Sequence, residues 1–310
     1  MQNITNIFTT GGRILNPWYI TGLTDGDGHF GININRSAFK ATLEFKITSH
    51  CASIGLLKDL QSFFGVGRIN IDNRRDNTMK FVVGSVADVV NIIIPHFDTF
   101  PLQGSKHLNF LAFKEAALLL STGGHRTDAG WNQLLALAAS MNKGRSFADK
   151  FTFNAANSHN LSLHYLLGFI DAEAMFYCYI PTTIGRQTLQ FTLEIAQATH
   201  EVALLMSMIQ LIGSGYIKPS FDFTSLVQAQ QARAVSRLIL RKKQIPGLIG
   251  FINVNPLLTT KQLDFQDWLR LMDMFDQGLH QTPDGLAQMK AIKAGMNQGR
   301  PKITIDDLPR

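Results

Sequence analysis

YITGLTDGDGHF (residues 19–30) and YLLGFIDAEAMF (165–176) carry one pattern twice, at an offset of 146. Each has a tyrosine, a glycine three residues on, an acidic residue, and a second acidic residue two positions later. The repetition continues downstream: GVGRI (65–69) matches GSGYI (213–217) at offset 148, and PLQGSKHLNF (101–110) matches PLLTTKQLDF (256–265) at 155. TDAGWNQLLALAASMNKGR (127–145) and TPDGLAQMKAIKAGMNQGR (282–300) share nine of 19 positions at that last offset. A slowly growing offset is what loop insertions do to two copies of one domain, and each copy is far too long for a solenoid repeat. The 310 residues are therefore expected to divide into a first repeat at 1–145, a polar linker at 146–160 and a second repeat at 161–310.

Each copy supports the same coarse reading. A helix over 17–25 starts with Asn16 as cap and Pro17 at the first helical position; its partner over 163–171 starts with Ser162. Both are too short to stand alone. Gly22 and Gly26 lie four apart on one face, as do Gly168 and Ala172, and small residues at that spacing let two backbones approach closely. If the copies pack through these faces, Asp25 and Asp27 converge with Asp171 and Glu173. Strands follow at 28–36 and 42–48, with counterparts at 174–181 and 189–196. Phe30, Ile32 and Ile34 alternate with Gly31, Asn33 and Asn35, which predicts a sheet covered on one side only. Helices come next at about 51–64, 86–98, 106–120 and 128–141, with equivalents in the second copy; Arg237, Arg241, Lys242 and Lys243 read as a basic run on a helix. The fold class is α+β: two pseudo-symmetric α-β-β-α-β-β-α repeats, each a saddle-like antiparallel sheet with helices on one face.

Composition narrows the partners. Lys and Arg number 29 against 23 Asp and Glu, a net charge of +6 with a sequence pI near 9.3, which favours a polyanion. Two cysteines, Cys51 and Cys178, cannot form a disulfide scaffold or a recurring metal spacing, and fit a reducing compartment. The most apolar stretch, Phe81 to Pro95, is interrupted by Asp88 and Asn91, so no membrane span is expected. The N-terminus has neither a secretory pattern nor the Arg content of a mitochondrial transit peptide.

Two acidic residues brought together near a pseudo-two-fold axis repel unless neutralised, and Mg²⁺, which prefers one or two carboxylates plus water and phosphate oxygens, suits that place. ITGLTDGDG (20–28) and LLGFIDAEA (166–174) resemble the two copies of the LAGLIDADG signature of homing endonucleases. More specifically, the chain is similar to the single-chain, two-repeat enzymes encoded in fungal organellar group I introns. PLQGSK, PLLTTK and the paired MN-x-GR endings extend the likeness over about residues 16 to 300. The resemblance implies packing through the two LAGLIDADG helices and metal binding by the last acidic residue of each motif, Asp27 and Glu173. It also implies help from the carbonyls of Gly26 and Ala172, while Asp25 and Asp171 would fix the helix ends. Ala174 stands where the motif usually has glycine, which at a positive φ would cost about 1 kcal/mol. Lys106 and Lys261 would stabilise charge or poise water, although a lysine near a helix start is also commonly just solvated. Gln197 fits a polar role at the end of the second strand; Ser49, its counterpart, is shorter. The implied location is mitochondrial and the implied state a monomer.

The open sheet faces would then meet DNA. A strand of about nine residues spans roughly 30 Å, comparable to nine base steps at about 3.4 Å, and such a ribbon enters a major groove. The first copy offers Asn33, Asn35, Arg36, Lys40, Glu44, Lys46, Arg68, Asn70, Asp72, Arg74, Arg75 and Lys80. The second offers Tyr177, Tyr179, Arg186, Gln190, Thr192, Glu194, Lys218 and Ser220. SHNLSLH (158–164) has no counterpart in the first copy, and His29 is replaced by Met175 in the second, so neither is read as functional. The expected activity is metal-dependent, site-specific cleavage of double-stranded DNA. The rivals are an RNA maturase assisting its host intron, with RNA as partner, and a catalytically silent DNA-binding regulator.

Overall fold

Asn16 opens the first helix, α1 (Pro17–Asp27): its side chain accepts from the Trp18 N–H at 2.9 Å, and Pro17 supplies the fixed φ of the first turn. Seven consecutive residues, Tyr19 to Asp25, are buried. A helix covered all round must sit between other elements, and that is its place in this computed structural model, which describes residues 11–157, 159–180, 189–219, 235–301 and 303–308. After α1 come β1 (Gly28–Asn35), β2 (Lys40–His50), a 3₁₀ turn (Cys51–Ser53), α2 (Ile54–Phe64), β3 (Arg68–Asn73) and β4 (Thr78–Val83). The helical run α3 follows as Val86–Asp88, a π turn at Val89–Ile93 and Ile94–Thr99; then α4 (Lys106–Ser121) and α5 (Asp128–Ser140) close the copy.

The second copy repeats this plan with α7 (Leu163–Glu173), β5 (Ala174–Tyr179), β6 (Gln190–Ala198), the 3₁₀ turn Thr199–Glu201, α8 (Val202–Ile212), β7 (Tyr216–Pro219), β8 (Val235–Arg241), α9 (Pro246–Val254), α10 (Lys261–Asp276) and α11 (Pro283–Ala294). Between the copies, the stretch read as a polar linker carries the helix α6 (Phe147–Ala156), capped by Ser146. The two antiparallel sheets have equivalent orders, β1-β2-β4-β3 and β5-β6-β8-β7. Phe30 and Phe45 stack on the covered face of the first sheet with Phe97, Phe110 and Phe113; Phe176, Phe191, Phe265 and Trp268 do the same in the second. Their burial drives the sheet–helix packing.

α1 and α7 cross in backbone contact. A Cβ placed on Gly22 would lie 1.9 Å from the Tyr165 carbonyl oxygen, and one on Gly168 would lie 2.0 Å from that of Tyr19. Only hydrogen fits at either position. Farther along, the same small-residue face places Gly26 against the Ala172 methyl. One core therefore runs through both copies.

The most strongly repeated block, MN-x-GR, proves to be a clamp of the fold. Asn142 and Asn297 both adopt positive φ, 52° and 53°. Each amide side chain donates to a strand carbonyl, Asn142 to Phe30 at 3.1 Å and Asn297 to Phe176 at 3.0 Å. Met141 and Met296 are buried beside them, and Arg300 pairs with Asp264 and Asp267. No described helix is long and apolar enough to cross a membrane.

One sequence reading of the fold needs correction. Arg237 and Arg241 lie on β8 rather than a helix, with Lys242 and Lys243 in the 3₁₀ turn after it. Ser236, Leu238 and Leu240 face the core while Arg237 and Arg241 share the other face, and the pairing of Arg237 with both Ala196 and Lys218 makes β8 a strand interior to the sheet. Ala174 has φ −84° and Gly28 −79°, so the departure from glycine carries no backbone strain.

Candidate active site

The two central helices end on the residues singled out above, Asp27 and Glu173, each closing its helix at the start of a strand. A Cβ on Gly26 would meet the Glu173 Cγ at 3.1 Å and Oε1 at 3.6 Å, which places the second carboxylate beside the end of the first helix. Neither carboxylate has a hydrogen bond or ion pair among the described residues. Burial pushes the Asp27 carboxyl up to about 7: the residue keeps solvent contact, but protein on its inner sides displaces much of its hydration. The Glu173 charge raises it further, and Lys261 and Lys106 oppose the rise.

Lys106 and Lys261 begin α4 and α10, and neither is a freely solvated lysine. The Lys106 Nζ donates to the carbonyls of Thr24 and Gly26, both at 2.8 Å. Lys261 Nζ donates to those of Ile170 and Ala172, at 2.9 and 3.1 Å. Each ammonium thus caps the C-terminal end of its own repeat's central helix, where carbonyl oxygens lack helical partners and a positive charge is favoured. Two of its three N–H donors are used and one remains. Burial lowers both lysine pKa values from the usual range, against the raising effect of Asp25, Asp27 and Glu173 at Lys106 and of Asp171, Asp27 and Glu173 at Lys261. The carbonyls expected to ligate metal, at Gly26 and Ala172, are thus the ones that accept from lysine; each keeps a second lone pair.

Asp25 and Asp171 do something different from fixing their own helix ends. The Asp25 Oδ2 accepts from the backbone N–H of Gln103 at 2.7 Å and of Gly104 at 3.2 Å, and from the Tyr165 hydroxyl of the other copy at 2.8 Å. Asp171 accepts from Leu258 and Thr259 and, reciprocally, from the Tyr19 hydroxyl at 2.8 Å. These carboxylates tie the loop carrying each lysine to the helix pair and to the opposite repeat. Burial raises Asp25 to about 6 despite those hydrogen bonds and Lys106. The tyrosines were visible as matching positions in the repeat, but nothing in the sequence gave them a partner.

Gln197, near the end of β6, lines a cavity of about 320 Å³ together with Asp25, Gly26, Lys106, His200 and Glu201, so it faces the lysine of the other repeat. Asp27 and Glu173 lie outside that cavity. Ser49 stands at the equivalent place on β2.

On the open face of the first sheet, Asn33, Asn35, Arg36, Lys40, Arg68, Asn70, Arg74 and Arg75 are exposed. Glu44, Lys46, Asp72 and Lys80 are half-buried and pair with one another at 3.2 to 3.8 Å, a balanced patch of two acids and two lysines. Arg74 lies 3.5 Å from Asp306. On the second sheet Tyr179, Gln190 and Lys218 are exposed and Tyr177 lies under the Lys293 ammonium, 5.7 Å from the ring centroid. Thr192 is buried, contrary to the expectation of an exposed face, and donates to Glu194 at 3.2 Å. Arg186 and Ser220 fall outside the described residues. Arg237 and Arg241, read as a phosphate-contacting or solvated basic run on a helix, instead join this sheet face; Arg241 sits 5.7 Å from the Tyr216 ring centroid. His29 lies on the open face opposite Lys46, and His159 bonds Ser207 at 2.9 Å.

The residues present suit a divalent ion in one respect: two neighbouring carboxylates, neither with a hydrogen-bond or ion-pair partner among the described residues. Among the described residues no cluster of three or more His, Cys, Asp or Glu could hold a metal alone. The chain can offer two carboxylates and the free lone pairs of the Gly26 and Ala172 carbonyls, and water or a bound anion's oxygens would complete a set that fits Mg²⁺.

This geometry predicts a pH signature. An Asp27 that holds its proton to about 7 when folded, against about 3.9 when unfolded, stabilises the metal-free fold at low pH and loses that contribution as pH rises across this window. Relative to Asp27→Asn, wild-type protein in chelator should lose thermal stability between about pH 4 and 7, the interval set by the two pKa values, and change little above it. Mg²⁺ should restore it at pH 8 and not at pH 5, because a carboxylate must be deprotonated to bind. Parallel melting curves for the two proteins would remove Asp27 from this role.

Comparison with known proteins places the fold. A family model described as LAGLIDADG endonuclease matches residues 20–117 and 166–272. The chain is 28% identical over 297 residues to the probable intron-encoded endonuclease 3 of Neurospora crassa, covering 90% of this chain and 54% of that protein. It spans about half the length of the curated relatives it matches. The I-SmaMI LAGLIDADG homing endonuclease bound to cleaved DNA superposes with a TM-score of 0.80 at 26% identity, covering 94% of this chain and 100% of that one. The same enzyme bound to an uncleaved DNA target in the presence of calcium ions gives 0.77 at 26% identity, over 91% and 99%. With both motifs matched in order, on equivalent helices of equivalent sheets, the chain belongs to the LAGLIDADG endonuclease family.

Proposed function

We propose that this chain is a site-specific double-strand DNA endonuclease that hydrolyses phosphodiesters with divalent metal held between Asp27 and Glu173. The observation that carries the reading is that an unpartnered carboxylate closes each of the two crossing helices, with a helix-capping lysine behind each. A bound Mg²⁺ would supply Lewis-acid polarisation of the scissile phosphate and an activated water. The chain's own groups do the rest. Asp27 and Glu173 fix where the ions sit, and Lys106 and Lys261 each keep one N–H donor for a phosphate oxygen or the water beside it. Gln197 orients solvent on the Lys106 side.

Each repeat's open sheet follows one half of a long, pseudo-palindromic site in the major groove, Asn33, Asn35, Arg68 and Asn70 on one side and Gln190, Lys218, Arg237 and Arg241 on the other. Arg and Asn suit bidentate base contacts. The paired Glu44, Lys46, Asp72 and Lys80 exchange their mutual salt bridges for DNA contacts only at a cost, so the exposed arginines carry more of the affinity. The protein acts as a monomer, because both halves of the site come from one chain, and its setting is mitochondrial, as names such as that of a Podospora anserina protein in an ND4 intron suggest for its relatives. Maturase activity is the second reading: the exposed basic surface offers RNA a site away from the carboxylates.

The test is selection of cleaved products from a randomised duplex library in Mg²⁺. A long target cut in both strands with a short stagger is expected; RNA binding without cleavage of any duplex would favour the maturase.

A further inference from the structure

The loops that carry the two lysines are held by the same three-rung arrangement, and one rung differs. Before Lys106, the backbone N–H groups of Gln103 and Gly104 bind Asp25, and that of Ser105 binds Glu201 at 3.1 and 3.2 Å to its two carboxylate oxygens. Before Lys261, Leu258 and Thr259 bind Asp171, and the N–H of Thr260 binds the Ser53 hydroxyl at 3.1 Å. Glu201 and Ser53 each close the 3₁₀ turn after the second strand of their repeat, so each lysine's loop is held by the opposite copy. One copy brings a buried carboxylate to the task, the other a hydroxyl.

The surroundings are built to match. Glu201 is buried, also accepts from the Ser105 hydroxyl, and lies 3.4 Å from His200 Nε2. Burial raises its pKa, but the hydrogen bonds from His200 and Ser105 outweigh this, so it is held below the usual glutamate range and stays anionic. The linker helix braces it: Asn154, itself buried, donates to the His200 carbonyl at 2.9 Å. Beside it Gly104 leaves little room for a side chain, since a Cβ would lie 3.0 Å from Glu201 Oε2 and 3.3 Å from Asp25 Oδ1. At the equivalent position stands Thr259, whose hydroxyl donates to Asp171, and the residue in the place of Glu201 is the shorter Ser53. Gly104 goes with Glu201, and Thr259 with Ser53.

We infer that Glu201 is a positioning residue for Lys106, so that cleavage of one DNA strand depends on a buried anion from the opposite repeat and cleavage of the other does not. This rests on the endonuclease reading above. Hydrogen bonds to a charged partner are the stronger kind, and Ser105 immediately precedes the lysine whose ammonium must meet the phosphate.

The experiment uses a target duplex labelled differently on each strand. Lys106→Ala and Lys261→Ala first identify the strand that each lysine serves. Glu201→Gln should then slow the Lys106 strand on the order of tenfold, leave the other strand's rate and the affinity in Ca²⁺ unchanged, and accumulate nicked product. Glu201→Ser should do the same, and Gly104→Thr with Glu201→Ser, which copies the Lys261 arrangement, should recover much of the loss. Equal slowing of both strands by Glu201→Gln, or slowing of neither, overturns the proposal. A wild-type chain that cuts neither strand overturns the endonuclease reading itself, and this inference with it.

Discussion

Asp27→Asn and Glu173→Gln should each abolish double-strand cleavage, by on the order of a thousandfold, while specific DNA affinity in Ca²⁺ stays within a few fold. Both changes keep the shape of the side chain and remove its charge. Neither residue makes a hydrogen bond or ion pair among the described residues, so no native contact is lost with it. Asp27→Asn should in addition stabilise the metal-free fold at neutral pH, because its carboxyl is raised to about 7 by burial first and by the Glu173 charge second. Loss of DNA binding in either variant, or of folding, would make these carboxylates structural.

The second large effect lies in the helix pair beneath the site. Gly22→Ala and Gly168→Ala each force a methyl to within 1.9 or 2.0 Å of a carbonyl oxygen on the facing helix, and backbone cannot rotate out of the way. The helices must separate, which disturbs Tyr19–Asp171 and Tyr165–Asp25 at the same time. About 3 kcal/mol of stability should be lost, a fall of roughly 5 °C in Tm for a chain of this size, with cleavage of both strands impaired. Gly250→Ala is the control: nothing lies within 4 Å of the added methyl, and it should be neutral or slightly stabilising. Equal melting temperatures for Gly22→Ala and the control would mean that the two helices do not cross in the contact described.

Repetition made the architecture legible. Strands betrayed themselves by alternation, as in Phe30, Ile32 and Ile34, and the short helices by Asn16-Pro17 and Ser162. The reading failed where its signal was local and the cause was distant. Arg237 and Arg241 look like a basic helical run until β6 and β7 are placed on either side of them. Thr192 alternates as an exposed residue should, yet neighbouring side chains cover it. MN-x-GR, the best-matched block, stood out because a positive-φ asparagine and a close glycine are hard to replace, and in the first copy Asn142 also lines the cavity beside Lys106. At the site itself, the acidic pairs and the lysines were visible as matching positions. The jobs of Asp25, Asp171, Tyr19, Tyr165, Ser53 and Glu201 were not, since every one of them is a contact between repeats or between residues about 80 or more positions apart.

Crystals of the chain with its selected target, grown in Mn²⁺ in place of Mg²⁺, would test the pairing of the two carboxylates most directly. Anomalous scattering should show metal shared by the Asp27 and Glu173 carboxylates and the phosphates across the helix junction. Metal bound by only one of the two, or anywhere else in the complex, would contradict the joint site.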